Sequence, residues 1–319
     1  MNNTLLYAVT VLIWGTTFLG IEYQLGIVPP EVSIVYRYVL ASGLLFAWAF
    51  ARRLPMSFGI RPHLRFMLLG LTLFSLNYVL TYHSQQHISS ALAAIVFSSM
   101  LWMNLLNARV LFGVRAGRRV IAGSLLGIAG TLQLFLPEVR DLTLADQTVL
   151  GIALAGLGAY VASLGNMVSQ SAQASGLPIV QSNAWGMLYG AAVAVVAAWL
   201  GGRTFTIDWS APYLLSLSYL AVFGSVVAFG TYLTLLGRIG AHRAGYAMVM
   251  FPVVAILISL AVGEIAISWS LVSGVALVLG GNVLVLRGRA AALAATQSSA
   301  PPCQEMNFQS APSRTSTSV

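Results

Sequence analysis

Long apolar runs recur along this chain and decide what it can fold into. A helix that crosses about 30 Å of hydrocarbon needs about 20 mostly apolar residues. The 319-residue chain holds ten such runs, approximately 4–21, 31–50, 65–85, 90–112, 119–136, 148–168, 180–200, 212–236, 243–263 and 268–287. Only 8% of its residues are charged, against about a quarter in soluble domains. The sequence therefore predicts an all-α integral membrane protein with ten transmembrane helices.

The arginines predict how these helices are oriented. All 16 basic residues are arginine, and most lie in alternate connections or near their edges: Arg52, Arg53, Arg61, Arg65, Arg109, Arg115, Arg118, Arg119, Arg238, Arg243, Arg287 and Arg289. The other connections hold only Arg140 and Arg203, together with most of the acids. By the positive-inside rule, the even-numbered connections and both termini are cytoplasmic. The net charge of +8 thus reflects topology, and we expect no nucleic-acid partner.

An internal repeat is suggested by shifting the second half of the chain back by 151 residues. Ile239 then falls on Ile88, Gly274 on Gly123 and Gly281 on Gly130. We predict a first five-helix repeat over 1–137, a second over 138–289, and a disordered cytoplasmic tail over 290–319, which is rich in Ser, Ala, Thr and Pro. Because five is odd, the second repeat would be inverted, an arrangement typical of alternating-access carriers.

Four of the predicted spans carry short motifs in a particular order and spacing. The residues are Trp14-Gly15-Thr16-Thr17-Phe18 in the first span, Arg37 in the second, Tyr246, Ala247, Pro252 and Glu264 in the ninth, and Gly274, Gly280 and Gly281 in the tenth. Together they resemble the EamA-like family of the drug/metabolite transporter superfamily. The resemblance implies a ten-helix basket that moves small organic metabolites, commonly outward. It also implies a cavity lined by helices 1, 3, 4, 6, 8 and 9. The fourth helix of such proteins often carries a proline as well. This chain departs from that pattern, since Leu101 stands opposite Pro252 in the repeat alignment.

Pro252 interrupts the apolar run of the ninth span. A proline in a helix removes a donor and frees the carbonyl four residues earlier, here that of Met248. In lipid, that carbonyl needs another partner, so Pro252 is either a pivot beside a polar cavity or a static kink. Glu264 closes the run, as an ordinary interfacial acid or as a gating contact.

Arg37 and His83 are candidate gating or coupling residues. Arg37 lies within a span, where a charge costs about 3 kcal/mol. It either pairs with Glu22 or Glu31, or attracts an anionic group of a substrate. His83 is four residues from His87, but no further ligand accompanies them and we expect no metal site. His83 is instead expected at the mouth of a cavity as a proton-responsive group.

Polar and aromatic residues on the predicted helices are candidates for binding substrate. Amides are costly against lipid, so the faces that carry them should point inward, and flexible methionines tolerate varied ligands. Each residue alone could equally serve packing or the interfacial aromatic belt. The candidate set is Trp14, Thr17, Asn77, Tyr78, Tyr82, Ser98, Trp102, Tyr232, Tyr246 and Met250.

The sequence carries no sign of catalysis. It has no nucleotide-binding P-loop, no nucleophile beside a plausible base and no metal-binding cluster, so we expect no enzyme activity and no cofactor. We predict a secondary transporter of a bacterial plasma (inner) membrane, with a small-molecule substrate and the lipid bilayer as its partners. It would export amino acids or amphipathic, toxic compounds by alternating access. The alternative is a non-transporting membrane-embedded enzyme or scaffold, and the oligomeric state is left open.

Glycines seven residues apart in the fifth and tenth spans predict close helix packing. The pairs are Gly123 and Gly130, and Gly274 and Gly281. Small residues let helix backbones approach each other in a membrane. The spacing fits packing within one bundle and packing against a second protomer equally well.

Overall fold

The computed structural model of the chain describes residues 1–134, 146–251, 253–254 and 268–298, and every regular element in these ranges is helical. Numbered along the chain, the helices are α1 (Asn3–Glu22), α2 (Pro30–Ala51), α3 (Ile60–Gln85), α4 (Ser90–Ser98 and Met100–Phe112), α5 (Arg118–Leu134), α6 (Asp146–Ala174), α7 (Ile179–Leu200), α8 (Ala211–Ile239), α9 (Ala241–Ala244, with helical residues 247–251 and 253–254) and α10 (Trp269–Ser298).

Seven of the described helices are long and apolar enough to cross a membrane. They are α1, α2, α3, α4 from Leu92, α6 from Gln147, α7 and α8. The predicted fifth and tenth spans are also helical, as α5 and α10, and the predicted ninth span lies largely outside the described residues. The membrane-helical fold is therefore confirmed, and ten helices arranged as two inverted repeats stay a prediction.

Local sequence explains where several helices begin and end. The side chain of Asn2 accepts a hydrogen bond from the Leu5 amide and so caps α1. Pro30 occupies the first turn of α2, where its missing N–H costs nothing. Helix α4 ends at Gly113, which adopts a φ of 68° that L-residues with a side chain rarely take.

Two helices contain a π-helical segment in their middle. In α3 this segment is Gly70–Leu76, and in α8 it is Leu220–Val227. Residues 221–227 lie 151 residues after 70–76, which is the offset found in the sequence. Segments of π-helix are rare and frequently occur at functional sites. Both helices therefore deviate from α-geometry at the same predicted repeat position.

Two pairs of helices pack along each other, and small residues form the contact in one of them. Helix α2 packs along α7, and α5 packs along α10. A Cβ added to Gly123 would lie 2.6 Å from the carbonyl oxygen of Gly281, and one added to Gly130 would lie 2.7 Å from that of Gly274. The predicted glycine faces of α5 and α10 therefore meet each other within one chain.

Two predicted boundaries are corrected by the structure. The sixth span was predicted to stop near residue 168, but α6 continues to Ala174. Its last turns are polar, and the Gln173 side chain donates to the Leu233 carbonyl of α8, so neighbouring protein replaces lipid there. Residues 290–298 of the predicted disordered tail are helical, since alanine-rich sequence continues α10 to Ser298. The rest of the predicted tail lies outside the described residues.

Candidate functional site

A narrow cavity of about 50 Å³ lies inside the helix bundle and is lined by residues from several helices. Helices α1, α3, α4, α6, α8 and α9 contribute to its wall, and no described residue of α2, α5, α7 or α10 does. These are the six helices that the family resemblance implied. Five predicted binding residues line the cavity: Trp14, Thr17, Asn77, Tyr78 and Tyr232.

Trp14 organises the aromatic part of the wall. Its ring centroid lies 4.9 Å from that of Phe229, 4.8 Å from that of Tyr232 and 5.8 Å from that of Phe251. Its indole N–H donates to the carbonyl oxygen of Gly224 at 3.1 Å. Gly224 belongs to the π-helical segment of α8, so this irregular backbone provides the acceptor that fixes the tryptophan.

Amide and hydroxyl groups interrupt this aromatic surface on α3 and α6. Asn77 and Thr81 lie one turn apart on α3, and the Thr81 hydroxyl donates to the Asn77 carbonyl at 2.8 Å. Asn166 of α6 lines the wall together with Tyr232 of α8. A cavity that joins rings with a few fixed polar groups is suited to a small amphipathic molecule.

Arg37 lies behind the cavity wall and is fully buried. Its Nε donates to the Ser225 hydroxyl at 2.9 Å, and its Nη2 donates to the Tyr78 hydroxyl at 3.4 Å. The guanidinium carbon lies 4.4 Å from the centroid of the Tyr78 ring, within cation–π range. Arg37 thus connects α2 to α3 and α8, and only Tyr78 of these three residues also faces the cavity.

The predicted pairing of Arg37 with Glu22 or Glu31 is wrong. Within the described ranges, Glu31 instead pairs with His83, at 2.8 Å between Oε1 and Nε2, and with Arg203, at 3.7 Å between Oε2 and Nε. Glu31 lies in the first turn of α2, whereas Arg37 lies about two turns further along the helix. Its side chain faces α3 and α8 instead of an acid.

The His83 ring connects two helix ends and a loop. Its Nδ1 lies 3.1 Å from Oε1 of Gln86, while Nε2 contacts Glu31. Arg203 follows α7, so the cluster joins α2, α3 and the α7–α8 connection. The cluster lies at the end of the bundle away from the connections that carry Arg52, Arg61 and Arg115. Its gating or coupling role stays a prediction.

Five predicted binding residues lie outside the cavity lining: Tyr82, Ser98, Trp102, Tyr246 and Met250. Tyr82 is buried beside Arg37, and the Ser98 hydroxyl donates to the Ile95 carbonyl within its own helix. The Tyr246 hydroxyl donates to the Gly123 carbonyl of α5 at 3.0 Å. Trp102 and Met250 are half-buried against the core. Substrate binding by these five residues stays a prediction.

Asn166 is the main lining residue that the sequence reasoning missed. It was overlooked because it is a single amide in the predicted apolar run 148–168. The cost of an amide against lipid, which pointed to Asn77, applies to Asn166 equally. The rings of Phe97, Phe229 and Phe251 also line the cavity, and nothing in the sequence distinguishes them from core phenylalanines.

The predicted gating residues Pro252 and Glu264 lie outside the described residues.

The described part of the chain holds no group of three or more His, Cys, Asp or Glu side chains that could bind a metal ion.

Comparison with known proteins gives the family. The sequence model of the EamA-like transporter family matches residues 3–136 and 149–287. The chain belongs to this family. It is similar to the "Uncharacterized inner membrane transporter YedA" of Escherichia coli K12, at 27% identity over 256 residues that cover 79% of this chain and 80% of YedA.

Two further relatives and one solved structure extend the comparison. Protein PagO of Salmonella typhimurium is 22% identical over 256 residues, covering 80% of this chain and 83% of PagO. A "Probable amino-acid metabolite efflux pump" of E. coli K12 is 26% identical over 266 residues, which cover 80% of this chain and 85% of that protein. A crystal structure shares the fold with a TM-score of 0.72 at 21% identity, covering 93% of this chain and 99% of that one. The chain is thus a membrane transporter, and these names point to transporters rather than enzymes.

Proposed function

We propose that this protein is a secondary transporter of a bacterial inner membrane, which exports small organic metabolites by alternating access. Amino acids and amphipathic, toxic compounds are the substrate classes that fit best. The observation that carries the proposal is the cavity inside the bundle, because its wall combines the Trp14 cluster with the amides of Asn77 and Asn166. The relative named as a probable amino-acid metabolite efflux pump supports the same class.

Alternating access through two inverted repeats is part of the proposal. Two features support it: the family model matches two successive stretches of the chain, and the π-helical segments of α3 and α8 recur at the offset of 151 residues. Related halves that face opposite ways can rock around a central site. We place both termini in the cytoplasm, so reporter fusions after Gly59 and Arg115 should report cytoplasm, and fusions after Gln24 and Gly202 the outside.

Exchange across a membrane tests the transport function directly. Purified protein in proteoliposomes loaded with an unlabelled compound should take up the labelled form, in a screen over amino acids and amphipathic amines. Uptake should exceed that of protein-free liposomes for at least one member. Equal uptake with and without protein for every member would refute the proposed function.

A matched pair of variants on α6 links transport to the cavity. Ala162 lines the cavity, whereas Leu157 is 52% exposed on the outer surface of the same helix. Ala162→Trp should fill part of the cavity and lower flux at least about tenfold, which corresponds to about 1.4 kcal/mol. Leu157→Trp adds bulk on the lipid side and should keep flux. Equal flux in both variants would place the substrate path elsewhere.

A further inference from the structure

Three polar side chains meet about two helical turns from the arginine-rich end of the bundle. Asn104 of α4, Asn166 of α6 and Tyr232 of α8 are each at least 99% buried, and the Tyr232 phenol lies beside both amides. Asn166 and Tyr232 also line the cavity. The three residues connect helices on different sides of the cavity and form its most polar corner.

Asn104 fixes the orientation of the Asn166 amide. Nδ2 of Asn166 donates to Oδ1 of Asn104 at 3.2 Å and approaches the Met100 sulfur at 3.4 Å. In this arrangement the Asn104 oxygen and the Met100 sulfur both accept from the Asn166 amide nitrogen, so the Asn166 amide oxygen faces away from them. Asn104 is therefore a positioning residue, and Oδ1 is the atom that Asn166 offers to the cavity.

Three atoms of this corner form no hydrogen bond of normal geometry with the described residues. They are Nδ2 of Asn104, Oδ1 of Asn166 and the hydroxyl of Tyr232, and of these residues only Asn166 and Tyr232 line the cavity. A buried polar group without a hydrogen bond costs free energy, and such groups normally have a partner in the protein, water or a ligand. Oδ1 can only accept a hydrogen bond, while the phenol can donate or accept. A ligand in the cavity that satisfies both Oδ1 of Asn166 and the phenol must bring at least one N–H or O–H donor.

We propose that Asn166 and Tyr232, oriented by Asn104, form a subsite for a nitrogen-bearing head group with N–H donors, either an amine or a primary carboxamide. An ammonium donates to Oδ1 and to the phenol oxygen, and the Trp14 ring, 4.8 Å from that of Tyr232, adds an aromatic face that attracts cations. A carboxamide donates to Oδ1 and accepts from the phenol. A carboxylate accepts only, so it meets Oδ1 without a hydrogen bond. The apolar part of the ligand lies against Phe229 and Phe251.

This inference rests on the proposed function and is tested by binding to the purified protein. Three probes share a phenyl body and differ in the head: phenethylamine, 3-phenylpropanamide and 3-phenylpropanoate. The amine and the amide should bind the wild-type protein at least about tenfold more tightly than the carboxylate, a difference of about 1.4 kcal/mol. Equal binding of all three, or binding of none, would overturn the subsite.

Variants assign the preference to particular atoms. Asn166→Leu removes the acceptor and should abolish the preference for N–H heads. Asn166→Asp keeps the size and the acceptor but adds charge, so the amine should gain over the amide. Tyr232→Phe keeps the ring against Trp14 and should weaken the amine and the amide about tenfold. Unchanged ratios in Asn166→Asp together with unchanged amine and amide affinities in Tyr232→Phe would refute the assignment even if Asn166→Leu fails to fold.

Tyr213→Phe is the control for a lost buried hydroxyl. The Tyr213 hydroxyl bonds to the Ser33 hydroxyl at 3.0 Å outside the cavity lining, so this variant should lower the melting temperature and leave all three affinities unchanged. Failure of this subsite can be distinguished from failure of the proposed transport function. If the liposome screen finds flux and the Asn166 and Tyr232 variants leave probe binding and flux unaltered, transport stands and the subsite does not.

Discussion

Adjacent glycines in α10 should respond in opposite ways to the same substitution. A Cβ on Gly280 meets nothing within 4 Å, whereas one on Gly281 would lie 2.5 Å from the Gly123 carbonyl oxygen and 2.9 Å from the Gly127 nitrogen, and would contact the Tyr246 hydroxyl. Alanine is preferred over glycine within a helix by about 0.5–1 kcal/mol. Gly280→Ala should therefore raise the free energy of unfolding by roughly this amount.

Gly281→Ala gains the same helix preference but must separate two helices. Two of its three close contacts are backbone atoms of α5, which cannot rotate away, and overpacking of this kind costs about 1–3 kcal/mol. Displacing Tyr246 weakens its hydrogen bond to Gly123, worth about 1 kcal/mol. The two variants should therefore differ by roughly 2–4 kcal/mol, with Gly281→Ala the less stable.

Thermal unfolding of both variants in the same detergent measures this difference. Because the entropy of unfolding scales with chain length, 1 kcal/mol shifts the melting temperature of a 319-residue chain by about 1.5 °C, so the variants should be separated by roughly 3–6 °C. Gly280→Ala should also keep transport, because α10 does not line the cavity. If Gly281→Ala melts at or above Gly280→Ala, α5 and α10 do not pack through these glycines as described.

Three further predictions concern the gating candidates. Arg37→Met should keep probe binding but slow flux about tenfold, because Arg37 joins three helices behind the cavity wall, and equal flux would contradict this role. His83 gives a charged pair with Glu31 only when protonated, so this contribution to stability is present at acidic pH and is lost as pH rises through the titration of the histidine. His83→Gln should remove that part of the pH dependence of the melting temperature. Pro252→Ala should fold at least as well as the parent yet turn over more slowly, and unchanged flux would show that this proline is not a hinge.

Most helix positions could be predicted from the sequence because membrane thickness fixes the length of an apolar run. The predicted runs 31–50 and 180–200 correspond to α2, Pro30–Ala51, and α7, Ile179–Leu200. Lengths were underestimated at polar helix ends, which fall outside the apolar runs. Helix α3 begins at Ile60, before two arginines that were assigned to a connection. Hydropathy alone does not show whether a polar helix end is surrounded by water or by neighbouring protein.

The candidate site was harder to predict because it depends on rotation about helix axes. Trp14, Asn77 and Tyr232 line the cavity. Tyr246 is a tyrosine like Tyr232, but its side chain points between α5 and α10 instead. For Arg37 the sequence left open an acid near in sequence or an anionic group of a substrate, and the structure places Ser225 of α8 within hydrogen-bond distance. Sequence spacing shows which residues share a helix face, and only packing shows what that face meets.

The π-helical segments make α3 and α8 sensitive to single-residue changes in length. One extra residue per segment sets the angle at which the rest of each helix faces its neighbours, since one residue corresponds to about 100° of rotation in an α-helix. Asn77 and Phe229 follow these segments closely and face the cavity. Deleting one residue within 70–76 or 221–227 would straighten the helix and turn these side chains away from the cavity. A length change of one residue would therefore alter which surface lines the cavity without shortening the membrane span appreciably.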